Sequence, residues 1–292
     1  MSATTPSLTQ VSRRRRRTDK VMRGLLLIAT GLALVPLVLI LYFLIKQGIG
    51  AWSASFFSND PNGNFFGTPG GIKSAILGSL EMVALATLIS VPIGIGVALY
   101  LVEYGKQSLF ANVVRYFVDV MTGVPSIVFG LFIYIVLVIS HAGGSSFAGW
   151  KGSVALALLM LPVVVRSAEV VLLLVPDSLR EAALALGAPR WRVVWRVVLP
   201  TALPGLVTGS LLAVARGMGE TAPLLFTAGA TFVASVNLNQ QMNSLPLQIF
   251  TDITSPRQAV IDRAWGAALA LVTIVLILNL VARFVSRRSR MA

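Results

Sequence analysis

The sequence predicts an all-α integral membrane protein with six transmembrane helices, and three observations carry that expectation. Of its residues 56% are hydrophobic and only 12% charged. Several apolar runs approach twenty residues, the length a helix needs to cross a hydrocarbon layer about 30 Å thick. The basic residues, which bring the formal charge to +13, flank those runs instead of forming a soluble patch. They therefore speak for topology and anionic lipid, and against nucleic acid.

The first twelve residues are polar, and Arg13 to Arg17 with Lys20 and Arg23 make a basic block. That block predicts a cytoplasmic arm over residues 1–23. The apolar run Gly24 to Ile45 reads as span one, tilted or kinked at Pro36; it exceeds a usual signal-peptide core and no convincing cleavage site follows. Lys46 to Gly71 reads as an external loop with Trp52, Phe56, Phe57, Phe65 and Phe66 at the interface, so residues 24–71 form span one plus this loop. Span two covers about Ile72 to Leu101, with Glu81 near its outer end and Pro92 to Gly96 as a flexible portion. A short inside loop holds Glu103, Lys106 and Arg115.

Span three, about Phe117 to Ser140, is broken at Gly123-Val124-Pro125-Ser126. His141 to Gly152 faces outside, and span four runs from Ser153 to about Val175. Span five begins near Leu203 and is interrupted from Gly217 to Pro223. The polar segment Asn237 to Asn243 and a short helix lead to span six, about Ala264 to Phe284, and the basic tail 285–292 returns inside. This topology puts 17 of the 24 Lys and Arg residues on cytoplasmic segments, counting Arg283 at the inner end of span six, with both termini inside. Residues 72–284 then form one membrane domain to which span one is an addition.

Composition also removes function classes. With no cysteine, thiolate metal sites, disulfides and cysteine nucleophiles are excluded. The single histidine, His141, lies in a Gly/Ser-rich loop and reads as solvated. No G-x-x-x-x-G-K-[ST] loop is present, so the chain is not itself an ATPase, and no nucleophile–base or metal constellation marks it as an enzyme.

The one long charged interruption in the second half is DSLREAALALGAPRWRVVWRVVLP, residues 177–200. It predicts two short helices around a turn. Ser178 and Glu181 have capping-box spacing, Gly187 suits the left-handed stop, and Pro189 opens a second helix. There Trp191, Val194, Trp195 and Val198 fall on one stripe, with Arg190, Arg192 and Arg196 off it.

Charges inside the spans are the candidate chemistry. Arg216 lies about 20 Å into span five, where a guanidinium costs at least about 2.5–3.5 kcal/mol and needs a partner or an aqueous path. The two glycines and the proline that follow it predict a helix break, where backbone N–H groups can face an anion. Glu220 can pair with Arg216 four residues earlier, with or without a gating role. Arg166 and Glu169 share a helix face, and a structural ion pair and a pathway role both fit them. Arginine suits an oxyanion because its planar fork donates bidentate hydrogen bonds and stays charged.

Glu181-Ala182-Ala183, Gly187 and Leu199-Pro200 resemble the EAA loop of binding-protein-dependent ABC importer permeases. Arg216-Gly-Met-Gly-Glu220-Thr221-Ala222-Pro223-Leu224-Leu225-Phe226-Thr227 is similar to the R-x-x-GETAPLLFT signature of the PstA-type membrane subunits of phosphate-specific importers. Gly123-Val124-Pro125-Ser126-Ile127-Val128-Phe129-Gly130 is similar to a stretch of Pst permeases generally. With the EAA loop these matches account for most of residues 110–230.

The resemblance implies a MetI-like permease core in a bacterial cytoplasmic (inner) membrane, translocating inorganic phosphate. It implies an ABC ATPase dimer as partner, docked through Glu181, Ala182, Ala183 and Gly187, with ATP and Mg bound there and no cofactor or metal on this chain. It further implies an external phosphate-binding protein and a second, PstC-like permease. Arg216, Arg166, Glu169, Glu220, Thr221 and Ser126 are the pathway residues it suggests. Physics alone would equally admit sulfate or molybdate.

Overall fold

A computed structural model describes residues 13–62, 67–105 and 108–288, the side chains of 13, 282 and 285–288 excepted. The first twelve residues, Phe65, Phe66, Lys106 and Arg290 lie outside the described residues, as do the side chains of Arg287 and Arg288. The chain divides into two units, residues up to Gln47 and residues from Gly48 onward. Among the described residues the first is a single helix, α1 (Arg13–Gly48), which contains Pro36 and whose last residue falls in the second unit.

The second unit contains α2 (Ala54–Ser58), α3 (Lys73–Leu99), α4 (Leu109–Gly123), α5 (Ser126–Ile133) and α6 (Gly149–Leu173). It continues with α7 (Asp177–Ala185), α8 (Arg190–Val193), α9 (Leu199–Met218), α10 (Ala222–Thr227), α11 (Leu245–Ile253) and α12 (Gln258–Arg288). Among the described residues five helices are long and apolar enough to cross a membrane, and six spans result if α4 and α5, bent by 103°, count as one. The bend falls where Gly123 to Ser126 interrupts span three.

The centre is α6, buried along most of its length and packed on α3 and α9. Met82, Val83 and Ala86 of α3 meet Leu156, Met160 and Val164 of α6 and Ala213 and Met218 of α9 in one cluster. A second cluster, at the opposite end of α6, joins Ala98, Leu172, Val175, Val198 and Leu206. Helices α6 and α9 run antiparallel at close range: a β-carbon on Gly209 would lie 2.6 Å from Ser167 Oγ, and one on Gly217 2.8 Å from Met160 Sδ. Small residues let the backbones approach this far. The pairing also fixes a register, setting Arg216 level with Met160, the middle of α6.

Two expectations change here. The stretch Pro92 to Gly96, read as a flexible portion, is continuous helix within α3, and Gly94 packs on Val164. Phe56 is not an interfacial aromatic; it is buried with Ile72, Leu245 and Ala267. Lys151, on the segment read as facing outside, and Arg263, just before span six, are both buried, Lys151 with no exposed surface at all. Its Nζ donates to the carbonyls of Leu137, Ser145 and Ser146 at 2.8, 2.5 and 3.2 Å, which binds the 137–146 turn to the start of α6. Arg263 forks onto Asp252 of α11 at 2.7 and 2.8 Å and so anchors that short helix to α12. His141 is exposed, as its loop composition implies.

Candidate permeation pathway and coupling loop

Three groups of charged residues follow α6 from its middle to its end. The first sits at the helix breaks. Gly130 of α5 lies against Pro223 of α10, and Tyr134 faces Phe226 at 6.3 Å between ring centres. The two short helices therefore run in the same direction, with Ser126 the first residue of α5 and Thr221 the N-cap of α10. Just before Thr221, Arg216 closes α9 and reaches Glu220 at 3.6 Å. That distance is too long for a hydrogen bond, and 42% of the Arg216 side chain stays exposed.

The second group lies about 9 Å further along, six residues of α6 at 1.5 Å each. Arg166 and Glu169 pair at 2.7 Å, as their spacing allows. Two partners that no local pattern announces join them from α4. Arg115 Nε donates to Glu169 Oε1 at 2.7 Å, and Asp119 pairs with the other side of the Arg166 guanidinium. Glu169, whose side chain is 8% exposed, thus has a guanidinium on each oxygen. Arg115, assigned from sequence to a loop, is instead on α4, which begins at Leu109 where Ser108 Oγ accepts the Ala111 N–H.

The third group is the charged interruption itself. Its helices α7 and α8 and the positive φ of 80° at Gly187 match expectation. The capping box does not form. Helix α7 starts two residues early, with Pro176 at its N-cap and no side-chain cap, so Ser178 lies inside the helix. The expected stripe holds only in part: Val194 and Val198 are buried, together with Val193, but Trp191 and Trp195 are 55% and 66% exposed. The cause is a π-helical segment at Val194–Val198, whose wider turn shifts the side-chain phase. Through it α8 continues into α9, so the helix that holds span five runs unbroken from Arg190 to Met218.

Arg180 holds this group to the membrane helices. It is 13% exposed and pairs with Glu103, itself 12% exposed, at 3.0 Å. It also donates to the carbonyls of Leu172 at 2.9 Å and Val175 at 2.6 Å, and to Asp177 at 2.9 Å. The guanidinium thereby satisfies carbonyls at the end of α6 and favours the negative end of its dipole. Glu181 and Ala182 remain exposed, while Ala183 packs on the second cluster. Beside them a cleft of about 230 Å³ is lined by Tyr104, Asp177, Glu181, Leu184 and Arg190. Among the described residues no group of His, Cys, Asp and Glu side chains could hold a metal.

Residues 90–291 match the family described as binding-protein-dependent transport system inner membrane component. The chain is 42% identical over 271 residues to the phosphate transport system permease protein PstA of Pasteurella multocida (strain Pm70), covering 92% of this chain and 94% of that one. To PstA 1 of Mycobacterium tuberculosis (strain ATCC 25618 / H37Rv) it is 42% identical over 289 residues, covering 95% and 91%. Among solved structures, an alginate ABC transporter matches with a TM-score of 0.65 at 16% identity, covering 93% of this chain and 96% of that one. An inward-facing MetNI methionine ABC transporter matches with a TM-score of 0.60 at 21% identity, covering 73% and 93%. Fold and sequence agree: the chain belongs to the family of binding-protein-dependent transport system inner membrane components, among its PstA permeases.

Proposed function

We propose that this chain is the membrane permease subunit of an ATP-driven importer of inorganic phosphate. The observation that carries the reading is the 42% identity to a phosphate transport permease across nearly the full length of both chains. The pathway runs past the parallel breaks at Ser126 and Thr221, where Arg216 offers its fork to the anion and Glu220 is the counter-charge it leaves. It continues toward Arg166 and Glu169. Binding must be weak enough for release, and a half-exposed arginine with one loose ion pair meets that condition.

The remaining parts belong to partners. An ABC ATPase dimer, holding ATP and Mg, docks on Glu181, Ala182, Ala183 and Gly187, and the Arg180 contacts carry its motion into α3 and α6. An external phosphate-binding protein delivers the anion at the opposite end, and a second, PstC-like permease supplies the other wall. Both termini and the EAA loop face the cytoplasm of a bacterial cell, in line with the 17 basic residues on that side. The chain itself is not catalytic.

The test is uptake of labelled phosphate into proteoliposomes containing the assembled complex. Uptake should need ATP and the binding protein, and excess sulfate should leave it unchanged while arsenate competes. Uptake that persists without ATP, or that sulfate suppresses as well as arsenate does, overturns the reading.

A further inference from the structure

Arg166 is paired on two sides that differ in kind. On one side Glu169 is fixed, its side chain 8% exposed and both oxygens engaged by Arg166 and Arg115 at 2.7 Å. Arg115, Glu169 and Arg166 together carry one net positive charge. On the other side, Asp119 neutralises that charge with a side chain that is 61% exposed. Asp119, more than half uncovered by this chain, can swing away from Arg166, whereas Glu169, held by two guanidinium groups in a buried position, cannot. A phosphate presents tetrahedral oxygens to the same fork and more charge than a carboxylate.

We propose that Asp119 is a stand-in for the transported oxyanion. It occupies the open side of Arg166 between transport events, yields it to an arriving phosphate, and then repels that phosphate toward release. This rests on the reading of Arg166 as a pathway residue. Position supports it: Asp119 is four residues before the end of α4 at Gly123, and Arg166 is about 9 Å from the level of Arg216 along α6, so the pair lies next in line after the breaks. A residue needed only to hold α4 on α6 would have no reason to be exposed, since Arg115 and Glu169 already join those helices from a more buried position.

The test uses the complex assembled from full-length chains, with labelled inorganic phosphate as probe. Retention is measured in detergent without the binding protein, and ATP-driven uptake in proteoliposomes. Removing a like charge beside the bound anion should make Asp119→Asn retain phosphate about tenfold more strongly than the wild type. Its uptake should fall severalfold because release is slowed. Asp119→Glu, which restores the charge, should regain most of the wild-type rate. Wild-type retention and uptake in Asp119→Asn would overturn the proposal, and so would failure of that variant to assemble, which would mark Asp119 as structural. Neither result touches the phosphate reading, which fails only if the wild-type complex itself takes up no phosphate.

Discussion

The two ends of the charge series along α6 are built in opposite ways. At the EAA end Arg180 is 13% exposed and spends its donors on Glu103, Asp177 and two carbonyls, all within 3.0 Å. At the helix breaks Arg216 is 42% exposed and reaches one carboxylate at 3.6 Å. A part that passes movement between helices must be stiff, and a buried, fully paired guanidinium gives that. A part that meets a passing anion must keep donors uncommitted, and a loose, half-exposed one does. The Arg166 group lies between, closed toward Glu169 and open toward Asp119.

Breaking the closed side should cost most. Glu169→Ala strands Arg115 and Arg166 without their shared carboxylate, an expected loss of about 3–5 kcal/mol that should appear as poor yield and early thermal unfolding of the purified complex. Arg180→Lys keeps the charge but loses the fork on Glu103 and the α6 carbonyls. We expect about 2 kcal/mol of stability lost and less phosphate moved per ATP hydrolysed, read from both rates on one preparation. Gly187→Val forces a β-branched residue to a φ of 80°, at about 1–2 kcal/mol. The permease should still insert, while ATPase stimulation falls.

The smallest effect separates the two faces of the second EAA helix. Trp191→Ala should change stability by no more than about 0.5 kcal/mol, whereas Val198→Ala, at a site with no exposure, should cost about 2 kcal/mol in the same melting experiment. Equal effects would restore the stripe that the sequence pattern suggested.

That stripe shows where sequence reasoning stops. Spans, breaks and the Gly187 turn were legible because each is written in neighbouring residues: an apolar run, a Gly-Pro pair, a glycine after a helical pattern. The π-helical turn at Val194 was not, since one extra residue per turn changes the buried face without changing composition. Arg216 with Glu220 and Arg166 with Glu169 were visible as helical neighbours. Arg115, Asp119 and Glu103 were not, because they approach their partners from helices about fifty to eighty positions away and nothing local marks them. The burial of Lys151 and Arg263 was not legible for the same reason, as it depends on carbonyls and a carboxylate brought in by other segments.

The claim that Arg216 meets the anion is tested most directly by purifying Arg216→Gln and Arg216→Lys with their partners and measuring ATP hydrolysis and phosphate uptake on the same proteoliposomes. Both should assemble and hydrolyse ATP. Arg216→Gln should move almost no phosphate, and Arg216→Lys, which keeps the charge without the bidentate fork, an intermediate amount. Normal uptake by an assembled Arg216→Gln complex would contradict the role given to Arg216 and leave Arg166 as the arginine that carries the anion.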